Sequence, residues 1–295
     1  MDSFDQLHRF IFPQASVRGE IVRLDHTVQR VVDAQPYPLG VKKLLAELLA
    51  ATSLLTATLK LKGEISLQLQ SEGALKYAVV HGSDAQELRG VAKWEGEIED
   101  NDLQTMLPKG IMAINIIPEQ GERYQGIVAL DKPTLAECLE GYFEQSEQLP
   151  TKISLMSTVT DDANLVVGSL LQVLPNTAAS SQLKQNEDFE RICMLANTLT
   201  SEEAFLLPVE EILHRLYHQE ELELFAPEKV QFKCTCSKEK CASALAGMQK
   251  RELLDIIAQE QAIKMNCQYC HQEYTFDQVD VEALFASADS SNSVQ

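Results

Sequence analysis

Residues 41–70 read VKKLLAELLAATSLLTATLKLKGEISLQLQ, and the pattern changes within them. Residues 41–60 form a long helical pattern rich in Leu and Ala. From Glu64 to Gln70 polar and apolar residues alternate, the period of a strand. Upstream, residues 27–34 read as a short helix ended by the turn Gln35-Pro-Tyr-Pro38. Downstream, strand-like runs follow at Leu75–His81, Glu87–Trp94, Ile111–Ile117 and Tyr124–Leu130. A helix opens with Lys132-Pro-Thr and covers 133–145, and Lys152–Thr160 with Leu165–Leu174 reads as two more strands. Meandering strands with returns predict an α+β domain over residues 1–178, a mainly antiparallel sheet with helices on one face.

The chain has 295 residues, 45% hydrophobic and 23% charged, a composition that can bury an ordinary core. Lys plus Arg number 25 against 44 Asp plus Glu, a formal charge of -19. Such a field repels phosphate backbones and disfavours nucleic acid as a partner. The acidic start, Met1-Asp-Ser-Phe-Asp-Gln, has no apolar core segment and reads as no signal peptide. The apolar stretch Leu44–Leu61 is interrupted by Glu47, Ser53 and Lys60, which argues against a membrane span. The expectation is a cytoplasmic protein whose thiols are kept reduced.

Residues 179–230 carry 4 basic and 11 acidic residues, a net charge of -7 that is the densest in the chain. Glu187–Leu199 has helical spacing, Thr200-Ser-Glu-Glu203 resembles a capping box, and Pro208 restarts the pattern with Val209, Ile212, Leu213 and Leu216 at i, i+3, i+4 and i+7. Helices of about a dozen residues are marginal alone, so this segment is expected to be a metastable linker, ordered only when docked. The Ser/Asp-rich tail at 287–295 is expected to be disordered.

Five of the seven cysteines, Cys234, Cys236, Cys241, Cys267 and Cys270, fall within 37 residues and mark residues 231–295 as a separate module. Cys234-Thr-Cys236 and Cys267-Gln-Tyr-Cys270 are separated by thirty residues. Cysteines two or three apart in a tight turn can point at one metal, and two facing turns supply a thiolate tetrahedron. Val230–Lys233, Ile263–Asn266 and Glu273–Phe276 read as strands flanking the turns, with Lys250–Glu260 as an amphipathic helix between them. The predicted ligands are Cys234, Cys236, Cys267 and Cys270 on one Zn2+. Four thiolates leave no open position, which makes the site structural rather than hydrolytic. His271 reads as a surface or outer-shell imidazole, Cys241 as a fifth thiol near the site, and Cys138 and Cys193 as core or helix-face residues.

Zinc holds the cysteines as thiolates, the form that oxidants attack. Structural zinc contributes on the order of 10–16 kcal/mol to the folding of a small module, whereas whole domains are stable by about 5–15 kcal/mol. Oxidation that ejects the metal is therefore expected to unfold residues 231–285, with the linker following. Apolar surface on the linker and the sheet beneath it would then be exposed. An enzyme gains nothing obvious from this; a protein that binds unfolded chains does.

Several stretches carry a resemblance: Val17-Arg-Gly-Glu20, Leu44-Leu-Ala-Glu47 leading to Leu59-Lys-Leu-Lys-Gly63, Leu67-Gln-Leu-Gln70 and Leu88-Arg-Gly90. In the module they are Phe232-Lys-Cys-Thr-Cys-Ser-Lys-Glu-Lys240, Glu252-Leu, Cys267-Gln-Tyr-Cys270 and Tyr274-Thr-Phe276. In these the chain resembles the heat shock protein 33 family, the redox-regulated bacterial chaperones. The resemblance implies an ATP-independent holdase, inactive when reduced and zinc-bound. Hypochlorous acid, or peroxide with mild heat, would join Cys234 to Cys236 and Cys267 to Cys270, release zinc and unfold the module and linker. It also implies unfolding proteins as clients, a monomer when reduced, a homodimer when oxidised, and ATP-dependent foldases downstream. Cys241 is an additional thiol outside the pattern.

No enzyme motif competes. The 13 glycines make neither GxGxxG nor GxxxxGK[ST], and there is no GxSxG or HExxH. Of the histidines at 8, 26, 81, 214, 218 and 271, only His214 and His218 have ligand spacing, and they read as the solvated face of the linker helix. Asp161-Asp162 and Glu202-Glu203 read as solvated charges and Trp94 as core. The alternative is a constitutive zinc-ribbon module binding a protein or RNA. A thiol–disulfide oxidoreductase comes third, because neither cysteine pair sits on a thioredoxin-like βαβ unit.

Overall fold

The computed structural model describes residues 4–59, 62–98, 102–160, 163–175 and 182–291. In chain order its first strands and helices are β1 (Gln6–Phe12), β2 (Val17–Leu24), α1 (His26–Val32), α2 (Leu39–Thr58), β3 (Gly63–Gln70), β4 (Leu75–Ser83) and β5 (Glu87–Trp94). Then come α3 (Leu103–Met106), β6 (Ile111–Pro118), β7 (Tyr124–Ala129), α4 (Leu135–Tyr142) with a π-turn over Phe143–Glu147, β8 (Thr151–Val159) and β9 (Asn164–Val173). The acidic segment supplies α5 (Gln182–Ala196), α6 (Ser201–Leu206), α7 (Val209–Tyr217), β10 (Glu223–Leu224) and β11 (Glu228–Lys229), and β12 (Gln231–Phe232) follows. The cysteine region holds α8 (Lys238–Leu245), α9 (Lys250–Glu260), β13 (Ile263–Asn266), β14 (Glu273–Phe276) and α10 (Gln278–Ser291). Among the described residues no helix is long and apolar enough to cross a membrane.

The chain divides into two compact units, residues 1–233 and 234–295. The first is α+β and largely antiparallel, as expected, but its strands form two sheets rather than one. One sheet runs β10-β1-β2-β9-β8, with β11 also on β1; the other runs β12-β5-β4-β3-β6-β7. The helix α2 lies between them. Its buried leucines and alanines join one core with Val22, Leu24, Val166 and Leu170 of the first sheet and Leu67, Leu69, Val80 and Met112 of the second. A helix covered on all sides has no need of a polar face, which explains the Leu- and Ala-rich sequence. Its hydroxyls are satisfied locally: Thr52 Oγ1 donates to Leu48 O, Thr56 Oγ1 to Thr52 O, and Ser53 Oγ to Gln86 Oε1 at 2.6 Å.

Alternate residues of β2 serve two cores. Val22 and Leu24 face α2, while Val17 and Ile21 face outward and are still buried. What covers them is α5–α7, the acidic segment. β12, read from the sequence as leading into the first cysteine pair, does lead into it, yet it pairs in parallel with β5 of the first unit (Gln231↔Glu87, Phe232↔Leu88).

The second unit has a small core of Leu245, Leu253, Ile263, Phe276 and Val281, around the antiparallel pair β13–β14. Contrary to the expected disorder of 287–295, α10 continues to Ser291; residues 292–295 and the pair Asp161-Asp162 lie outside the described residues.

Candidate metal centre and the covered sheet face

The second cysteine pair sits in the turn between β13 and β14. Cys267 N donates to Gln272 O and His271 N to Cys267 O, at 3.0 and 2.9 Å, and His271 takes a left-handed φ of 57° to close the turn. The first pair lies just beyond β12, before Ser237 caps α8 by accepting from Lys240 N. The four sulfurs lie within 4.8 Å of one another. Cys234 Sγ is 3.6 Å from Cys267 Sγ, and Cys236 Sγ is 3.4 Å from Cys270 Sγ. A tetrahedron with metal–sulfur bonds of about 2.3 Å has edges of about 3.8 Å, so the arrangement fits one ion held by four thiolates. Soft sulfur donors in that geometry suit zinc or an iron–sulfur centre.

Tyr274, on β14, donates its hydroxyl to Cys236 Sγ at 3.1 Å. This outer hydrogen bond fixes one ligand and favours its thiolate. Burial pushes the Cys236 thiol up, but the bonds from Tyr274 and the neighbouring thiols outweigh it and bring it down to about 7. The Cys234 and Cys270 thiols are pushed up, with burial the main cause in each. Cys236 is therefore set apart in acidity from Cys234 and Cys270 although they share one site. The residue type of Tyr274 assigns it no role in the sequence; the β13–β14 register (Met265↔Tyr274) brings it to the sulfurs.

His271 is exposed and outside the sulfur cluster. Cys241 packs on the small core from α8, and burial, with the charges of Cys236 and Cys267, raises its thiol. Cys138 is buried, and Cys193, on α5, packs against the core under the acidic helices, where burial pushes its thiol up to about 12. His214 and His218 are exposed, and Trp94 packs against Tyr37 with ring centroids 5.2 Å apart. Glu203 is more than a solvated charge: its carboxylate accepts from Thr200 N while Thr200 Oγ1 accepts from Glu203 N, a complete capping box.

The second feature is the sheet face under α5–α7. Phe10 and Phe12 on β1 meet Tyr217 at the end of α7, the Phe12 and Tyr217 rings edge to face at 4.9 Å. Phe10 lies flat across Gly19, its partner on β2, where a Cβ would stand 2.2 Å from the ring. Ile192, Ala204, Val209 and Leu213 complete the contact from the helices. Arg23, buried on β2, donates to Phe205 O and Leu207 O at 2.9 and 2.8 Å and so caps the C-terminal end of α6. Gln185 of α5 donates to Leu174 O at 2.9 Å. Neither β1 nor Arg23 was singled out in the sequence, although Phe10 and Phe12 alternate as a strand requires.

Comparison with known proteins follows the same outline. A family model described as Hsp33 protein matches residues 5–277. A protein of Pseudoalteromonas atlantica named 33 kDa chaperonin is 55% identical over 286 residues, 96% of each chain. One of the same name from Shewanella sediminis is 50% identical over 294 residues, 99% of this chain and 100% of its own. The crystal structure of the 33 kDa chaperonin (heat shock protein 33 homolog) from Thermotoga maritima matches with a TM-score of 0.82 at 22% identity, over 97% of this chain and 99% of that one. At that identity it is a likeness of fold.

Proposed function

The chain belongs to the Hsp33 family of chaperones, and from that premise we propose that it is a redox-regulated holdase that needs no ATP. The observation that carries the proposal is the convergence of four sulfurs in a unit whose buried apolar core, among the described residues, is five side chains. Cys234, Cys236, Cys267 and Cys270 hold one Zn2+, which supplies cross-linking between two turns. It leaves no open coordination position, and the proposal includes no catalysed reaction.

The switch lies in the thiolates. Each disulfide forms by loss of two electrons from a pair of sulfurs; hypochlorous acid, taking up those electrons and a proton, becomes chloride and water. We assign the pairs as Cys234–Cys236 and Cys267–Cys270 from family membership. Disulfide sulfurs no longer ligate as thiolates, so the oxidised site cannot keep the metal, and about 10–16 kcal/mol of folding free energy is lost with it. Residues 231–295 then unfold as the sensor module, residues 179–230 undock as the linker, and the face carrying Phe10, Phe12 and Ile21 on the 1–178 domain becomes available to unfolding clients. The active form is a homodimer, the reduced form a cytoplasmic monomer, and clients pass to ATP-dependent foldases.

The test is light scattering from a thermally unfolding client, with the protein reduced and zinc-loaded or pre-treated with hypochlorous acid. Suppression by the oxidised form alone, with one zinc released per chain and disulfides mapped to neighbouring cysteines, supports the proposal. Equal suppression in both states, or by the reduced form alone, refutes the switch and leaves a constitutive zinc-ribbon interaction module.

A further inference from the structure

Glu47 is the one carboxylate on α2, a helix otherwise given over to the core. It belongs to the Leu44-Leu-Ala-Glu47 stretch, and the redox switch gives it nothing to do. Its carboxylate accepts a hydrogen bond from Ser157 Oγ on β8 at 3.0 Å. Among the described residues that is its only hydrogen-bond partner, and no Lys, Arg or His nitrogen lies within 4.0 Å. Burial is the main influence on it and raises the carboxyl to about 7, against the weaker opposing effects of the Ser157 hydroxyl and the Lys43 charge. Burial thus outweighs both partners and favours the neutral carboxyl, and a cation brought against Glu47 would favour the carboxylate.

Glu47 opens onto a cavity of about 420 Å³, within the range of small-molecule sites. Leu44 and Leu155 give it apolar walls, Thr158 a hydroxyl, and Phe205 and Ser201 of α6 close it from the linker side. Lys43 also reaches the lining, one helical turn before Glu47. The cavity thus has at one end a carboxylate that forms no ion pair within 4.0 Å, with the Lys43 charge near it, and it has apolar walls and one wall made of α6.

We propose that this cavity binds an organic ammonium ion, with the charged nitrogen on the Glu47 carboxylate and the apolar stem against Leu155 and Phe205, and that only protein with α6 docked forms the complete site. A ligand confined to the docked form stabilises that form in proportion to its occupancy. It would raise the oxidant dose needed for activation, a consequence that rests on the redox reading above, whereas binding itself does not.

The probe is n-pentylammonium chloride, titrated calorimetrically into the full-length, reduced, zinc-loaded chain at about pH 8, above the raised range of the carboxyl. One saturable site per chain is expected, with 1-pentanol and pentanoate binding about tenfold more weakly or not at all. Glu47→Gln keeps the shape and the Ser157 bond, so it should fold, as far-UV circular dichroism would verify, and lose about tenfold in affinity. Phe205→Ala should weaken binding through the missing wall. Absence of saturable binding, equal binding of pentanol, or unchanged affinity in Glu47→Gln overturns the proposal, and unchanged affinity in Phe205→Ala overturns the part assigned to α6. No arm uses oxidation, so failure here is distinct from failure of the switch.

Discussion

The acidic helices and the cysteine unit are both short of core, and they solve the problem differently. α5–α7 bury Ile192, Ala204, Val209, Leu213 and Tyr217 on a large sheet face, add the Arg23 cap, and depend on a neighbour for everything else. The cysteine unit has, among its described residues, five buried apolar side chains of its own and brings four sulfurs to one point. Packing loosens by degrees as side chains are trimmed. A thiolate site fails abruptly, because each disulfide would remove two of its four ligands at once. A sensor is better built from the second, and a releasable cover from the first.

The largest expected effect separates the two regions outright. Cys236→Ser, or chelation, should cost the second unit on the order of 10 kcal/mol. Its β13–β14 and α9 signals should vanish from an NMR spectrum while those of α2 and the sheets persist. Survival of a folded second unit without metal would show that its small core suffices and would remove the contrast.

Next in size is the cover. Tyr217 is 4% exposed and packs on Phe10 and Phe12, so Tyr217→Ala should cost about 3–5 kcal/mol. Amide exchange over α5–α7 should rise in the reduced protein with the metal retained. If exchange rises equally in α2, the acidic helices are part of one cooperative core and not a separable cover.

Acidity sharpens the comparison further, since Glu20 lies on the inner side of the sheet whose outer side is covered. Burial, only partly offset by Arg18 and Arg9, raises its carboxyl from 4.5 to about 7. The folded state then holds a proton that the unfolded chain has released, so this group's contribution to stability falls as pH rises from 4.5 to 7 and is constant above. The expected loss is about 3 kcal/mol. Glu20→Gln should abolish that part of the pH dependence of denaturant unfolding of the first unit; an unchanged slope would place the proton elsewhere.

The smallest effect concerns the single hydrogen bond from Tyr274 to Cys236. Tyr274→Phe should weaken zinc about tenfold in a chelator competition, with the fold intact. No change would mean that the four ligands alone set the affinity.

Legibility in the sequence followed the range of the interactions. The helix–strand switch in residues 41–70, the Thr200–Glu203 capping box and the two cysteine pairs are local patterns, and all could be read directly. The division of the strands between two sheets is a matter of long-range pairing, as with β2 on β9 across Val17↔Val173, which no local period encodes. β10, β11 and β12 are two residues long, too short to show a period at all. At the sites, thiol spacing named the four sulfurs, but Tyr274 and Arg23 act through neighbours distant in sequence, and their residue types alone assign them no task.

The central claim is that chemistry at the sulfurs releases the cover. It is tested most directly by hydrogen–deuterium exchange, followed peptide by peptide in reduced, zinc-loaded protein and again after hypochlorous acid. The account predicts loss of protection throughout 234–291 and also over α5–α7, with α2, β3 and β4 unchanged. Protection lost in 234–291 but retained over Ile192, Leu213 and Tyr217 would contradict it.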